Sequence, residues 1–155
     1  MSKIEDAKQI LEAIGLPKRQ QNERSALTLL ALCYLKEKDK WSKAKAVSMS
    51  VVGNKENAKY EGLMRFIAEH YNKPYAENSR ETFRRQTLHQ FVQAGIANHN
   101  PESPELPTNS KDNHYRLSPE ALKVIKSFNT RNWNKEIKYF KENVGLLRDK
   151  CNTPQ

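Results

Sequence analysis

The sequence predicts one mainly α-helical domain that contains a small β-hairpin. Its length of 155 residues lies in the usual range for a single hydrophobic core. Apolar residues recur with helical spacing near both ends of the chain and in its middle. Between residues 95 and 118, two short apolar runs flank a polar loop, which indicates paired strands. We therefore assign residues 1–148 to one domain and expect residues 149–155 to form a frayed tail.

The composition favours a polyanionic partner. The chain has 27 Lys and Arg against 18 Asp and Glu, a formal net charge of +9. Charge alone does not separate DNA from RNA or anionic lipid, so the arrangement of the charges has to decide. Cys33 and Cys151 show no disulfide or zinc spacing, and the first residues lack the pattern of a secretory signal. We expect a cytoplasmic protein with no membrane segment and no metal or other cofactor of its own.

Two amphipathic helices are predicted at the N-terminal end. Ser2 and Glu5 have the spacing of a capping box, and Gly15 provides a stop. Asn22 is placed to cap the second helix. Residues 26–35 give that helix an apolar surface too broad for a helix that faces water, which predicts the centre of the core.

The middle of the chain predicts two helices around a short turn. Charged and polar residues interrupt the apolar spacing over residues 36–59, which are expected to be only partly helical. Residues 63–71 have the spacing of one helical face. Asn78 then precedes Glu81 by three positions, as a cap does, and begins a helix over Ser79–Ala94.

A β-hairpin and two further helices are predicted next. Ile96–Ala97 and Tyr115–Leu117 are the candidate strands, and residues 98–113 form the polar loop between them. Ser118 caps the next helix, and a last helix begins near Thr130. Helix, turn, helix, strand, loop and strand is the order of a winged helix-turn-helix, whose second helix enters the DNA major groove.

The predicted helix over Ser79–Ala94 has two different faces when successive residues advance by about 100°. Its packing face consists of Phe83, Thr87, Leu88, Phe91 and Val92. Its outward face consists of Thr82, Arg85, Gln86, His89 and Gln93. Arg can hold guanine with two hydrogen bonds, Gln can pair with adenine, and Ser, Thr or His can donate or accept at base edges. The outward face, with Ser79 at its start, therefore predicts a reader of double-stranded DNA.

Two further arginines of this helix are predicted to hold the DNA backbone. Arg80 and Arg84 lie nearer the packed side, so their stems can follow the core edge while the guanidinium groups reach phosphates. The alternative is an ordinary solvated face. An ordinary solvated face would mix both signs of charge, but Glu81 is the only acidic residue between Ser79 and Gln93. We also expect Glu81 to be engaged in the helix cap at Asn78.

The remaining candidates are weaker. Asn109, Lys111 and Asn113 can place the loop against phosphates or in the minor groove, although such residues also serve turn geometry alone. Glu136 is followed two positions later by Lys and lies downstream of Asp112. An acid followed by such a Glu-x-Lys motif is typical of metal-dependent nucleases. It lies within a helical pattern, so we predict no catalytic residue and no metal site in this chain.

The run from Asn78 to Phe91 closely resembles the N-terminal domain of BsuBI/PstI-type type II restriction endonucleases. Asn22–Ser25, Asn109–Asn113 and the region of Trp133 extend the likeness over nearly the whole chain, whereas residues 48–60 are longer and more polar than the family pattern. The resemblance implies a winged-helix DNA-binding domain ahead of a separate nuclease domain that uses Mg²⁺, in homodimeric enzymes that read a short palindrome. This sequence stops before such a domain, so cleavage and Mg²⁺ are expected to belong to a parent enzyme.

We therefore predict sequence-specific binding of double-stranded DNA, as the recognition domain of a type II restriction endonuclease. One alternative is a free-standing controller of transcription, or of a restriction-modification system, with the same fold. A third interpretation is a protein-interaction or dimerisation module whose basic helix face is incidental. Binding to duplex DNA that depends on salt separates either DNA reader from the interaction module.

Overall fold

The computed structural model describes residues 2–52, 59–108, 110 and 112–152, with side chains described as far as Val144. These described residues are mostly helical and include one small sheet. The helices are α1 Lys3–Ile14, α2 Glu23–Leu32, α3 Leu63–Tyr71, α4 Arg80–Thr82, α5 His89–Gln93, α6 Pro119–Lys126 and α7 Trp133–Asn152. The strands are β1 Met49–Ser50, β2 Glu61–Gly62, β3 Ala97–His99 and β4 Tyr115–Leu117. A π-helical segment, Phe83–Leu88, joins α4 to α5, and the continuous helical stretch is called the 80–93 helix below.

The predicted caps at Ser2 and Asn22 and the predicted stop at Gly15 are confirmed. The Glu5 backbone N–H donates to Ser2 Oγ at 3.1 Å, and Gly15 ends α1 in the left-handed conformation with φ of 110°. The Ser25 backbone N–H donates to Asn22 Oδ1 at 2.8 Å. These caps satisfy backbone groups that a helix end leaves without partners.

Helix α2 is the centre of the core, as its broad apolar surface predicts. Every residue from Ser25 to Leu32 is buried. Helices α1 and α3 and the 80–93 helix all pack against it. Full burial of a Leu side chain contributes roughly 1.5–3 kcal/mol, so this apolar spine holds the surrounding helices in fixed positions.

Within the described ranges, the sheet has four strands in the order β2-β1-β4-β3. The predicted hairpin is confirmed, because β3 and β4 are antiparallel with His99 opposite Tyr115. Strand β1 pairs antiparallel with β4 and parallel with β2. Residues 36–59 contain the helical turn Trp41–Lys43, but they also contain β1, which the expectation of partial helix missed. A two-residue strand is too short to produce a period of two in the sequence.

Gly95 is the junction between the 80–93 helix and the hairpin. Its φ of +77° is left-handed, and a Cβ there would lie 2.1 Å from Val144 Cγ1 of α7. The Ser118 hydroxyl donates to the Gly95 carbonyl at 2.7 Å, and the Ser118 N–H donates to the Ile96 carbonyl at 2.9 Å. Helix α7 and the start of α6 therefore hold this junction from two directions.

The last two helices follow the prediction with one shift. The Ala121 N–H donates to Ser118 Oγ at 3.1 Å, which confirms the predicted cap of α6. Helix α7 begins at Trp133, after hydrogen-bonded turns that include Thr130, and its backbone continues through Asn152 into the segment expected to be frayed. Within the part of the chain that the structure describes, no helix is both long enough and apolar enough to cross a membrane.

Candidate nucleic-acid interface

The 80–93 helix starts differently from the sequence prediction. A 3₁₀ turn, Glu77–Ser79, leads directly into α4, and neither Ala76 nor Ser79 caps it through a side chain. The predicted side-chain cap at Asn78 is therefore wrong, because Asn78 lies inside this turn instead of before the helix. Glu81 is consequently available for other partners.

The two predicted faces of this helix are confirmed by burial. Phe83, Thr87, Leu88 and Phe91 are buried, and Val92 is half-buried. Arg85, Gln86, His89 and Gln93 are exposed, and Thr82 is half-buried at their edge. The Arg85 side chain retains 76% of its accessible surface. The face that points away from the core therefore carries exposed groups that donate or accept hydrogen bonds.

Glu81 pairs with the arginines that follow it. Its carboxylate accepts from Arg84 Nη2 at 2.8 Å and lies 3.2 Å from Arg85 Nε. The hydrogen bond from Arg84 holds the pKa of Glu81 below its ordinary value, with further lowering by the charges of Arg84, Arg85 and Arg80. The same bond raises the pKa of Arg84. These side chains are exposed, and exposed ion pairs contribute little to stability. Another anion can therefore take the place of Glu81 beside the arginines.

The structure adds Arg24 of α2 to this surface. Its Nε donates to Thr87 Oγ1 at 2.9 Å, and its Nη2 donates to Gln86 Oε1 at 3.4 Å. Site prediction missed Arg24, because 62 residues separate it from Gln86 and no local pattern connects them. Its only sequence signal was its place in Asn22–Ser25, one of the segments that carry the family resemblance.

Asn113, a predicted wing residue, is engaged inside the loop. Its Nδ2 lies 2.8 to 3.2 Å from the carbonyl oxygens of Pro107, Thr108 and Ser110. Its Oδ1 accepts from Asn100 Nδ2 at 2.7 Å. The DNA contact predicted for Asn113 stays a prediction, and the same predictions for Asn109 and Lys111 fall outside the described residues.

His114 closes the base of this loop. The ring is buried and stacks on Tyr60 with 4.1 Å between ring centroids. Its Nδ1 lies 2.8 Å from the Asp112 carbonyl oxygen, and its Nε2 faces the Glu102 N–H at 3.4 Å. A carbonyl oxygen only accepts hydrogen bonds, so the contact with Asp112 places a proton on His114 Nδ1. The Asn100 side chain accepts from the His114 N–H at 2.7 Å and completes the base.

A cleft of about 570 Å³ separates the 80–93 helix from the hairpin. The helix contributes three basic side chains, Arg84, Arg85 and His89, and β3 and β4 contribute His99 and Tyr115. Partial shielding from water lowers the pKa of His99, and the nearby His114 and Arg84 lower it further. At neutral pH the cleft therefore presents two charged guanidinium groups and a neutral His99, an arrangement that attracts anions.

The described residues do not fit the Mg²⁺ that the family resemblance implies for a nuclease. Among them, no three His, Cys, Asp or Glu side chains converge closely enough to hold a metal ion. Glu136 lies in α7, 3.8 Å from Lys123 Nζ, and Asp112 lies in the hairpin loop. No catalytic step is assigned to this part of the chain.

Known proteins are similar to this chain in sequence and in fold. A family model described as the BsuBI/PstI restriction endonuclease HTH domain matches residues 1–149. The type II restriction enzyme BsuBI of Bacillus subtilis is 42% identical over 146 residues, which are 94% of this chain and 43% of that enzyme. The type II restriction enzyme AplI of Arthrospira platensis is 27% identical over 145 residues, 94% of this chain and 42% of that enzyme. The SdaI restriction endonuclease structure superposes with a TM-score of 0.80 at 33% identity, over 96% of this chain and 45% of that one. This chain spans less than half the length of these relatives.

Proposed function

Because this chain belongs to the BsuBI/PstI restriction endonuclease HTH domain family, we propose that it binds double-stranded DNA as the recognition domain of a type II restriction endonuclease. The family predicted from the run Asn78–Phe91 is confirmed. The observation that carries the proposal is the outward face of the 80–93 helix. Its exposed polar groups lie beside a basic cleft, and its opposite face is fixed to α2.

The proposal includes a winged helix-turn-helix. Helix α3 and the 80–93 helix form its helical pair, and the β3–β4 hairpin is the wing. What supports this interpretation is that β1 pairs with β4, which ties the hairpin to the segment that precedes α3. The packing of α2 against α3 and the 80–93 helix also supports it, because a recognition helix must be held rigidly to enter the major groove.

In this proposal the outward face reads bases. Arg85, Gln86 and His89 lie in the N-terminal and middle turns of the helix, where recognition helices meet base edges. Ser79 and Thr82 lie at the leading end of the same surface and are assigned to the DNA edge. The proposal extends to a homodimeric parent enzyme, in which two such domains would face the two halves of a palindrome.

Phosphates are assigned to Arg80 and Arg84, with Lys111 kept as a wing contact. Arg84 now donates to Glu81 at 2.8 Å, and a DNA phosphate offers the same kind of acceptor with additional charge. Exchange of Glu81 for phosphate would release the counterions that surround the duplex, which makes binding depend on salt. Glu81 would then act as an internal occupant of the phosphate site in the free protein.

Duplex binding as a function of salt tests the proposal. For about 5 phosphate contacts, the logarithm of the association constant should fall with a slope of roughly −4 to −5 against the logarithm of salt concentration. Arg84→Gln should make the slope shallower by about one unit. The control is Lys126→Gln, which removes one exposed charge from α6 and should change the slope less. Absence of duplex binding, or binding that is indifferent to salt between about 50 and 200 mM, would favour the interaction module instead.

A further inference from the structure

We propose that Arg24 is a positioning residue that turns the amino group of Gln86 toward DNA, so that this position prefers guanine to adenine. The inference rests on the proposed function, because it assumes that the 80–93 helix meets base edges. It assigns the choice of base to a side chain on α2, outside the recognition helix.

The guanidinium group of Arg24 bonds both to a buried residue and to an exposed residue of the 80–93 helix. Thr87 is completely buried, and its Oγ1 accepts from Arg24 Nε at 2.9 Å. The adjacent Nη2 of the same planar group reaches Gln86 Oε1 at 3.4 Å. Because the guanidinium is rigid, the Thr87 bond fixes the direction in which Nη2 points. Arg24 itself lies in the first turn of α2, next to the capped end at Asn22.

The chemistry of the two groups determines which end of the carboxamide faces outward. An Arg side chain carries only donors, so the atom of Gln86 that faces it must be the oxygen. The Gln86 amino group is then directed away from Arg24. Its two N–H donors then face outward, while Oε1 stays on the side of Arg24.

A carboxamide held in this way distinguishes the two purines. Adenine presents an acceptor at N7 and a donor at N6, so Gln holds it with both its nitrogen and its oxygen. Guanine presents two acceptors, N7 and O6. With Oε1 held on the side of Arg24, the Gln86 amino group is the part that meets the base edge, where it matches both acceptors of guanine but opposes the N6 donor of adenine. This expectation reverses the usual pairing of Gln with adenine.

A purely structural role for Arg24, without any part in recognition, would have different consequences. If Arg24 only ties α2 to the 80–93 helix, its removal lowers the free energy of unfolding and weakens binding to all duplexes by one common factor. Base preference at a single position would not change. A measurement of preference therefore separates the positioning role from a merely structural one.

The experiment is selection from a randomised duplex library at one salt concentration, followed by binding to single-base variants of the selected duplex. At the position where Gln86→Ala relaxes the preference, the unmodified chain should favour guanine over adenine by about tenfold. Arg24→Met, which keeps the stem and removes the donors, should reduce that ratio to near one or invert it. In the Gln86→Ala background, Arg24→Met should cause no further change in the ratio.

Two additional variants make the result decisive. Arg19→Met removes the same charge from an exposed residue of the turn before α2, and it should leave the purine ratio unchanged. Gln86→Glu keeps an acceptor for Arg24 but removes the amino group, so it should abolish the guanine preference even if Arg24→Met does not fold. Circular dichroism and thermal unfolding identify variants that have lost structure.

The outcomes distinguish this inference from the proposed function. If the unmodified chain selects no sequence and binds no duplex, the proposed function fails. If it selects a sequence but Arg24→Met or Gln86→Glu retains the guanine preference, the positioning role is wrong and DNA recognition stands. A preference for adenine at the Gln86 position of the unmodified chain would also overturn the inference.

Discussion

The outward face of the 80–93 helix and the loop between β3 and β4 have similar polar compositions but use them in opposite ways. On the helix, Arg85 and His89 project into solvent. In the loop, Asn113 donates to carbonyl oxygens of the same loop, and His114 is buried with partners for both ring nitrogens. The polar groups of the helix face are exposed to a ligand, and Arg85 holds an exposed ion pair, whereas Asn113 and His114 bond to other residues of the hairpin.

The difference follows from the backbone. A helix satisfies its own N–H and C=O groups, so its side chains are free for other partners. A loop without regular structure has to find partners for those groups elsewhere, and Asn side chains are well suited to provide them. Leu106, Thr108 and Asn113 of the loop line one side of the cleft, and Arg84, Arg85 and His89 of the helix line the other. Each of the following predictions tests one part of that distinction.

The largest effect is expected at Gly95, where the two regions join. Gly95→Ala combines a left-handed φ of +77° with a Cβ 2.1 Å from Val144 Cγ1. We expect the free energy of unfolding to fall by about 3 kcal/mol or more, from strain and overpacking together. Gly15→Ala is the control, because its φ is +110° but its nearest contact is Lys141 Cε at 3.9 Å. Urea unfolding should show a clearly smaller loss for Gly15→Ala, and equal losses would mean that α7 does not hold the junction.

The next effect tests the internal role of the loop. Asn113→Ala removes hydrogen bonds to the carbonyls of Pro107, Thr108 and Ser110 and the acceptor for Asn100. We expect the free energy of unfolding to fall by about 2 kcal/mol, measured by urea denaturation. Base preference in the selection experiment should not change. If stability is unchanged and DNA binding is weaker, Asn113 contacts DNA instead of supporting the loop.

The complementary effect is expected on the helix. Arg85→Ala should lower affinity for the selected duplex by about tenfold, in the range of one lost base contact, and lower affinity for random duplex much less. Stability should change by less than about 0.5 kcal/mol, because the side chain is exposed. Competition binding at one salt concentration measures both affinities. If both fall by the same factor, Arg85 holds phosphate and does not read a base.

A smaller and more uniform effect is expected for Arg84. Arg84→Ala should weaken binding to the selected and the random duplex by a similar factor and make the salt slope shallower by about one unit. Its exposed pair with Glu81 contributes little to folding, so the unfolding midpoint should stay close to that of the unmodified chain. A loss confined to the selected duplex would assign Arg84 to a base edge instead.

The sequence predicted the helix face well because helical periodicity fixes the direction of each side chain once the helix is located. Phe83 and Thr87 are buried and Gln86 is exposed, as their spacing predicts. The start of the helix was predicted less well. A 3₁₀ turn and a helix have similar local signals, so Asn78 could not be distinguished from a true cap by spacing alone.

Contacts between distant segments were not predictable from local patterns. The bonds from Arg24 to Gln86 and Thr87 depend on how α2 packs against the 80–93 helix. The bonds of Asn113 depend on the path of a loop with no period. Strand β1 is visible only through its pairing with β4 and β2. In each case tertiary packing determines the partner, and local patterns in a single sequence carry no information about that packing.

The smallest effect is expected at His99, which faces the cleft where the two regions meet. Shielding from water lowers its pKa in the folded protein, followed by the charges of His114 and Arg84, and Arg85, His89 and Tyr115 line the same cleft. As the pH falls through the ordinary His value of about 6.5, the unfolded chain takes up this proton first. The folded state therefore loses stability on acidification, and the loss ends below the lowered pKa.

His99→Gln keeps a polar side chain without this proton. Between about pH 8 and pH 5, the free energy of unfolding of the unmodified chain should fall more than that of the variant, as measured by urea unfolding at each pH. Bound DNA should have the opposite influence on the same group, because a phosphate in the cleft stabilises the charged ring. The advantage of the unmodified chain over His99→Gln in DNA affinity should therefore grow as the pH falls. If the two proteins respond identically to pH both with and without DNA, the cleft does not receive a phosphate near His99, and the helix face binds without the hairpin.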